Sequence, residues 1–178
     1  MHALRKFLFC SALLIAACVP AFAQPDALRI VVHKAARTLE LHQGDVVVKT
    51  YKTGLGFSPV GPKQKRGDGK TPEGNYFICV KNPQSRFYLS LGISYPSPAD
   101  AAVALTSKTI TRADHDRIVS AHARKTTPPW NTPLGGEIFI HGNGSSSDWT
   151  LGCIALTDAD MKDLYARIAV GTAIEIKK

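Results

Sequence analysis

Short apolar runs of strand length dominate the pattern of hydrophobic and polar positions along the chain. The clearest alternation lies in 38–42, where Leu39 and Leu41 fall on the same face of an extended segment. The turn residues 43–45 then lead into another β-branched run, which is typical of a hairpin. From such runs we expect strands at 28–33, 38–42, 46–53, 75–81, 87–92, 138–140, 154–156 and 172–177.

Other segments carry signals for the start of a helix. Ser97 precedes a proline and Asp100, which favour a helix N-terminus. Thr111 begins a second predicted helix in the same way, and this helix extends to residue 124. The segment 157–169 has the strongest helical pattern in the chain. Its apolar stripe consists of Met161, Leu164, Tyr165 and Ile168. Because strands predominate, we predict a mostly β fold with a few short helices.

The first 23 residues have the pattern of a secretory signal peptide. Two basic residues precede an apolar run, and Ala21-Phe22-Ala23 supplies small residues at a cleavage site. The apolar run is too short for an ordinary membrane span. Cys18 ends a segment that resembles a bacterial lipoprotein box, so lipidation there is the alternative to cleavage after Ala23. Either route predicts export to the periplasm or cell envelope, with one domain at 27–178 and no transmembrane span in the mature chain.

The chain is basic, and its charge limits the choice of partners. The net charge of +8 falls to +6 when the two basic residues of the signal peptide are removed. This positive charge suits a cell-envelope protein that acts near anionic polymers and peptide carboxylates. Export and the lack of a nucleic-acid motif argue against nucleic acid as a partner. Cys79, Cys153, His122 and His141 lack the paired close spacing of a zinc site, so we expect no metal, and no cofactor motif is present.

The segment 137–156 carries the pattern most typical of chemistry. His141 ends one apolar run and Cys153 precedes another, with a glycine beside each. A single His or Cys is usually structural. A thiol attacks a carbonyl only as thiolate, however, and a neighbouring imidazole is a common base, so the pair favours nucleophilic catalysis. Gly152 lets the backbone turn sharply and exposes N–H groups for an oxyanion hole.

Other residues compete for these roles. His122 is the competing base, but it lacks a strand-end position and a glycine neighbour, and we expect it and His115 to face solvent. Cys79 lies in a buried-strand pattern, which favours an inert core thiol over a disulfide. The loop 125–136 either covers the cleft as a lid, with Trp130 as an apolar contact, or packs as an ordinary surface loop.

Two segments resemble the signatures of a known family. His141-Gly142, a polar loop and Thr150-Leu151-Gly152-Cys153 resemble the H-G…S/T-x-G-C pattern of the YkuD-type L,D-transpeptidase catalytic domain. Thr71-Pro72-Glu73-Gly74 is similar to the family's TPxG segment, in the expected order. The x position is often His in the family, and the form without it is similar to the YafK-like branch. Ala155 stands where many relatives carry Arg.

The resemblance covers 27–178 and implies a YkuD-type β-sandwich with a cysteine acyltransferase site. Cys153 is the implied nucleophile and His141 the base. The Gly142 carbonyl would orient the imidazole, with Asp148 as the carboxylate alternative, and Gly152 would contribute to the oxyanion hole. We expect substrate contacts from Thr150, Trp149 and Lys70. Basic residues that are candidates for substrate carboxylates are Lys63, Lys65, Arg66 and Lys70.

The implied substrates are peptidoglycan stem peptides, in cell-wall biogenesis. If an amine resolves the thioester, the product is a cross-link or a wall-attached protein, such as a lipoprotein. If water resolves it, the protein is an L,D-carboxypeptidase or another wall amidase. A peptidoglycan-binding module without turnover is the alternative from a different class. Retention of both Cys153 and His141 argues against that module.

Overall fold

The computed structural model describes residues 27–178. The expected signal peptide and the alternative lipidation at Cys18 lie outside the described residues. Within 27–178 the chain forms eight strands and three helices, which confirms the mostly β prediction. The strands are β1 (Leu28–His33), β2 (Thr38–Gln43), β3 (Val46–Lys52), β4 (Gly74–Ser85), β5 (Tyr88–Ile93), β6 (Phe139–His141), β7 (Ile154–Ala155) and β8 (Ala173–Lys177). The helices are α1 (Pro98–Thr106), α2 (Arg112–Ala123) and α3 (Asp158–Arg167).

Strand β4 joins the two halves of the sheet. It is 12 residues long, and its first part, 74–77, pairs antiparallel with β8 while its later part pairs with β5. The register shifts after Ile78 and after Asn82, and such irregularities bend a strand. The full strand order is β3-β2-β1-β8-β4-β5-β6-β7. A single long strand therefore connects the N-terminal hairpin to the half that carries β6 and β7.

One hydrophobic core takes side chains from both halves of the sheet and from the helices. The stripe predicted for the last helix is confirmed, because Met161 and Leu164 are fully buried and Tyr165 is partly buried against the core. That helix contacts β5 and β6, so it supports the sheet directly behind the candidate site. No helix within residues 27–178 has the length and apolarity needed to cross a membrane.

Each helix begins where the cap residues predicted. Ser97 and Thr111 form capping boxes with Asp100 and Asp114, and Thr157 accepts a hydrogen bond from a first-turn backbone N–H. These side chains satisfy N–H groups that no carbonyl within the helix reaches. The helix starts were therefore readable from local sequence.

Two element ends differ from the predictions by more than one residue, and one histidine has a different environment from the one predicted. Helix α3 ends at Arg167 because Ile168 turns to extended backbone and its carbonyl accepts from the Lys81 ammonium at 2.6 Å. Strand β4 continues to Ser85 because it forms a hairpin with β5. The prediction that His122 faces solvent is wrong: its Nε2–H donates to the carbonyl of Ser94 at 2.8 Å, and the ring is half-buried.

A buried ion pair holds the TPxG segment against the N-terminal hairpin. The Lys34 ammonium lies 2.8 Å from the Glu73 carboxylate and donates to the carbonyls of Thr71 and Gly61 at 2.9 and 2.7 Å. Burial lowers the pKa of Lys34, and the Glu73 carboxylate partly offsets this effect. Removing one member of such a pair leaves an uncompensated buried charge, so the segment is firmly positioned.

Candidate active site

The candidate nucleophile and base lie on neighbouring parallel segments. The register of β6 and β7 pairs His141 with Ala155, so Cys153 lies opposite Phe139. Residues two apart on a strand point to the same face, which puts the thiol and the imidazole on one side of the sheet. Both side chains line the same cleft, whose volume is about 640 Å³.

The His141 imidazole is buried and held in one orientation. Its Nδ1–H donates to the Gly142 carbonyl at 2.7 Å, which confirms the orientation that the resemblance implied. Because a carbonyl can only accept, Nδ1 carries the proton and Nε2 is left with a free lone pair. Phe87 stacks on the ring at 4.7 Å, and Trp149 meets it edge-on at 5.6 Å. Burial lowers the pKa of His141, and the Gly142 hydrogen bond only partly offsets this effect.

The Cys153 thiol is half-buried at the base of the cleft. Its Sγ lies 3.4 Å from the backbone nitrogen of Phe139 and 3.6 Å from the Glu137 carbonyl oxygen. Burial raises the pKa of Cys153, while the Phe139 N–H and the cations of Lys63 and Arg86 act in the opposite direction. With the thiol pKa raised and the imidazole pKa lowered, both groups are neutral near pH 7. The proton therefore rests on the thiol and the imidazole is neutral, and within residues 27–178 the Cys153 Sγ forms no hydrogen bond with the ring.

The turn before Cys153 is held by hydrogen bonds and requires glycine. Thr150 Oγ1 accepts from the Gly152 N–H at 3.1 Å and donates to the Cys153 carbonyl at 2.8 Å. Gly152 has φ +127°, and a Cβ there would lie 2.6 Å from the Lys70 carbonyl oxygen. Within residues 27–178, the Cys153 N–H donates to no protein acceptor. It is therefore the backbone donor beside the sulfur that is left for a substrate oxygen.

A glycine-containing segment outside the motif, 54–57, holds the backbone on both sides of Cys153. Gly54 and Ala155 exchange backbone hydrogen bonds of 2.9 and 2.8 Å. Thr150 N–H donates to the Leu55 carbonyl at 3.1 Å, and its own carbonyl accepts from the Phe57 N–H at 2.9 Å. The four backbone hydrogen bonds make this segment a backbone clamp on the site.

Asp148 has a structural role in this loop. Its carboxylate pairs with the Arg37 guanidinium at 2.7 Å and accepts from the Leu55 N–H at 2.9 Å. Burial acts to raise the pKa of Asp148, but these hydrogen bonds outweigh it and hold the pKa below its usual value. The imidazole is oriented by the Gly142 carbonyl, and Asp148 ties the loop to the turn after β1.

The three residues expected to contact substrate have different environments. Trp149 lines the cleft, is 38 % exposed and donates from Nε1 to the Gly144 carbonyl at 3.2 Å. Thr150 also lines the cleft, but it is buried and its hydroxyl serves the turn. The Lys70 ammonium donates to the Val60 carbonyl, and Lys70 does not line the cleft in the described part of the chain.

Two of the basic candidates line the cleft, and the cleft also contains two residues that the sequence did not indicate. Lys63 and Arg66 line it, as does Arg86, which was not among the candidates. Phe87, which stacks on the imidazole, was also missed. No local signal marks either residue, because they reach the site through the pairing of β5 with β6.

The loop 125–136 is packed into the cleft wall. Trp130 meets Phe139 edge-on at 5.6 Å and covers Gly136, where a Cβ would lie 2.1 Å from the indole. The Arg66 guanidinium donates to the Trp130 carbonyl at 2.6 Å. Of the two alternatives left open by the sequence, these contacts favour a packed loop that forms a wall of the cleft.

The second thiol lies elsewhere on the sheet. Cys79 and Cys153 are both free thiols, and Cys79 Sγ donates to the Gly92 carbonyl at 3.4 Å. Burial raises the pKa of Cys79. Within residues 27–178, no three His, Cys, Asp or Glu side chains converge in a way that would hold a metal ion.

A family model described as the L,D-transpeptidase catalytic domain, YkuD, matches residues 27–176. The chain therefore belongs to the L,D-transpeptidase catalytic domain family, as the two signatures predicted.

Among individual proteins, the chain is similar to YafK of Escherichia coli K12, with 35% identity over 79 residues. This match covers 41% of the chain and 32% of YafK. The helical cell shape determining protein Pgp2 of Campylobacter jejuni has a similar structure, with a TM-score of 0.57 and 21% identity over 85% of this chain and 48% of Pgp2. Bd1075 of Bdellovibrio bacteriovorus also has a similar structure, with a TM-score of 0.54 and 21% identity over 85% of this chain and 48% of Bd1075. The chain thus spans about half the length of these structures, with which it shares the fold.

Proposed function

We propose that this protein is an exported cysteine acyltransferase that acts on peptidoglycan stem peptides, with Cys153 as nucleophile and His141 as base. The observation that carries the proposal is the shared cleft, in which both side chains lie on one face of adjacent segments. The hydrogen bond from Nδ1–H to the Gly142 carbonyl supports it, because it leaves Nε2 free to accept the thiol proton.

The first half of the reaction forms a thioester. His141 Nε2 takes the proton from Cys153, and Sγ attacks the carbonyl carbon between the L-centre of the third stem residue and the following D-residue. The Cys153 N–H stabilises the developing oxyanion, since the Gly152 N–H already donates to Thr150. The C–N bond then breaks, and the imidazolium returns the proton to the leaving amine.

The second half determines the product. An amine that attacks the thioester gives a cross-link or a wall-attached protein, and water gives a shortened peptide. We include a role in cell-wall shaping, because Pgp2 is described as a cell shape determining protein and has a similar fold. Export through the N-terminal signal, with lipidation at Cys18 as the alternative, would place the site beside its substrate.

Defined muropeptides test this proposal directly. Purified protein is incubated with a tetrapeptide-containing muropeptide, alone and with an amine acceptor, and the products are identified by mass spectrometry. We expect a dimeric product that releases one D-residue per bond formed. A shortened peptide without a dimer would assign the hydrolytic alternative. Unchanged peptide that still binds with measurable affinity would leave only a binding module.

The pH dependence of the thiol tests the proton-transfer arrangement. Because burial raises the pKa of Cys153, we expect its alkylation by iodoacetamide to keep accelerating with pH beyond the ordinary cysteine value of about 8.5. Since burial lowers the pKa of His141, the base should stay neutral, and turnover should persist, until the pH falls below the ordinary value of about 6.5. Peptide mapping reports Cys153 separately from other thiols. A plateau of the Cys153 rate below pH 7 would indicate a preformed thiolate–imidazolium pair and contradict this prediction.

A further inference from the structure

Arg86 is a cation in the cleft that no carboxylate neutralises. It lies in the turn between β4 and β5, is exposed, and forms no ion pair within residues 27–178. Of the other two cations of the cleft, Lys63 forms an ion pair with Asp68 at 2.8 Å, and the Arg66 guanidinium is held by a hydrogen bond to the Trp130 carbonyl. Glu137 is the one acidic residue that lines the cleft in the described part of the chain. The cleft therefore carries positive charge, and Arg86 is the cation whose side chain forms neither a hydrogen bond nor an ion pair within residues 27–178.

The position of Arg86 relative to the base is fixed by stacking. Its guanidinium carbon lies 4.8 Å from the centroid of the Phe87 ring, and that ring stacks on His141 at 4.7 Å. The turn is held as well, because the Phe87 N–H donates to Ser85 Oγ at 3.1 Å and the Phe87 carbonyl accepts from the Gly142 N–H at 3.0 Å. The guanidinium therefore lies on the imidazole side of the cleft.

This placement matches the chemistry of a particular leaving group. In the proposed reaction, His141 protonates the amine that leaves, so the leaving amino acid lies on the imidazole side of the bond that breaks. In an α-amino acid, the carboxylate is attached to the same carbon as that amine. A free carboxylate on the leaving residue is thereby brought towards Arg86. A guanidinium binds carboxylates through paired, charge-assisted hydrogen bonds, and it can do so while it stacks on an aromatic ring.

We propose that Arg86 is the specificity-determining residue that binds the free carboxylate of the leaving D-amino acid. This inference rests on the proposed function. It means that the site selects acyl donors that end at the leaving residue and discriminates against donors in which that carboxylate is an amide. Arg86 also lies close enough to act on the thiol and the imidazole, but a change in those groups would alter turnover of both kinds of donor equally.

The test compares two synthetic stem tetrapeptides that differ only in the last group, a free carboxylate in one and a primary amide in the other. For the unmodified protein we expect kcat/KM to be about tenfold higher for the carboxylate peptide, as for a charge-assisted hydrogen bond in a partly exposed site. In Arg86→Gln this ratio should fall to about one, and in Arg86→Lys it should be partly restored. Arg112→Gln is the matched control, because Arg112 is exposed on α2 and outside the cleft, and the ratio should not change.

A binding measurement separates this inference from the proposed reaction. Affinities of both peptides are measured by calorimetry in Cys153→Ala, with and without Arg86→Gln, so that no turnover is needed. Loss of the carboxylate preference with Arg86→Gln supports the inference, even if the unmodified protein converts neither peptide and the proposed function fails. The inference would be overturned, even if the protein is an active acyltransferase, by either of two results. One is the same ratio of carboxylate-peptide to amide-peptide affinity with and without Arg86→Gln, and the other is no measurable binding of either peptide.

Discussion

Replacement of Cys153 by serine is expected to abolish both the cross-linked and the shortened product while the fold is retained. The hydroxyl is close in size to the thiol, so the contacts with Phe139 and Glu137 can persist. A hydroxyl is far harder to deprotonate, however, and a neutral imidazole in this buried setting is too weak a base to activate it. We expect kcat/KM for the tetrapeptide donor to fall at least about ten-thousand-fold, the scale seen when a nucleophile is removed. Product formation is followed by mass spectrometry, and the fold by circular dichroism.

The matched control for this prediction is Cys79→Ser. Cys79 is the other free thiol of the described chain, and its Sγ contacts the Gly92 carbonyl outside the cleft lining. This variant should keep turnover close to that of the unmodified protein, with a small loss of stability. Undiminished turnover in Cys153→Ser would refute the assignment of the nucleophile. Loss of activity in Cys79→Ser at full stability would indicate that the second thiol takes part.

Replacement of Gly152 by alanine is expected to damage both stability and turnover. The positive φ of +127° is unfavourable for any L-residue, and the new Cβ would lie 2.6 Å from the Lys70 carbonyl oxygen. Backbone strain and overpacking together should lower the free energy of unfolding by about 3 kcal/mol. The turn must shift to relieve the clash, which displaces the Cys153 thiol and its N–H. A displacement of that kind should reduce turnover about a hundredfold in protein that is still folded.

The variant Gly144→Ala separates the effect of backbone strain from the effect of the clash with the Lys70 carbonyl. Gly144 also has a positive φ, +99°, and lies in the same loop, but a Cβ there would meet no atom within 4 Å. This variant should therefore show the backbone strain alone. We expect its free energy of unfolding to fall by about 1 kcal/mol and its turnover to stay nearly unchanged. Urea denaturation gives the stabilities, and the muropeptide assay gives the rates. Equal losses in the two variants would mean that the contact with Lys70 is not the source of the effect.

The candidate site was predictable to the extent that its signals are local. A histidine and a cysteine at the ends of two apolar runs, each beside a glycine, indicated the pair, and the family match agrees with the two signatures. The imidazole's partner was also found correctly, because the Gly142 carbonyl is adjacent in sequence. Lys70 shows the limit of this reasoning. Charge and proximity to the motif suggested a substrate contact, but its ammonium is directed to the Val60 carbonyl.

The residues that were missed all depend on contacts between distant segments. Phe87 contacts His141 because β5 pairs with β6, and Arg86 lies over the Phe87 ring. Arg37 and Asp148 form an ion pair although they are more than a hundred residues apart in the chain. No spacing in a single sequence records which strand pairs with which. The bulged course of β4 likewise decides which side chains face the cleft.

The sequence by itself determined the helix caps, the alternation of the N-terminal strands and the family, and it indicated the thiol and the imidazole that line the cleft. Each of these depends on residues that are close together in the chain and on their own backbone preferences. Only the tertiary structure decided how the backbone of 54–57 clamps the loop, which cations line the cleft, and that burial moves the two pKa values in opposite directions. The physical reason is that burial and electrostatic fields at a site are properties of the packed chain, set by strand register and by contacts across the fold.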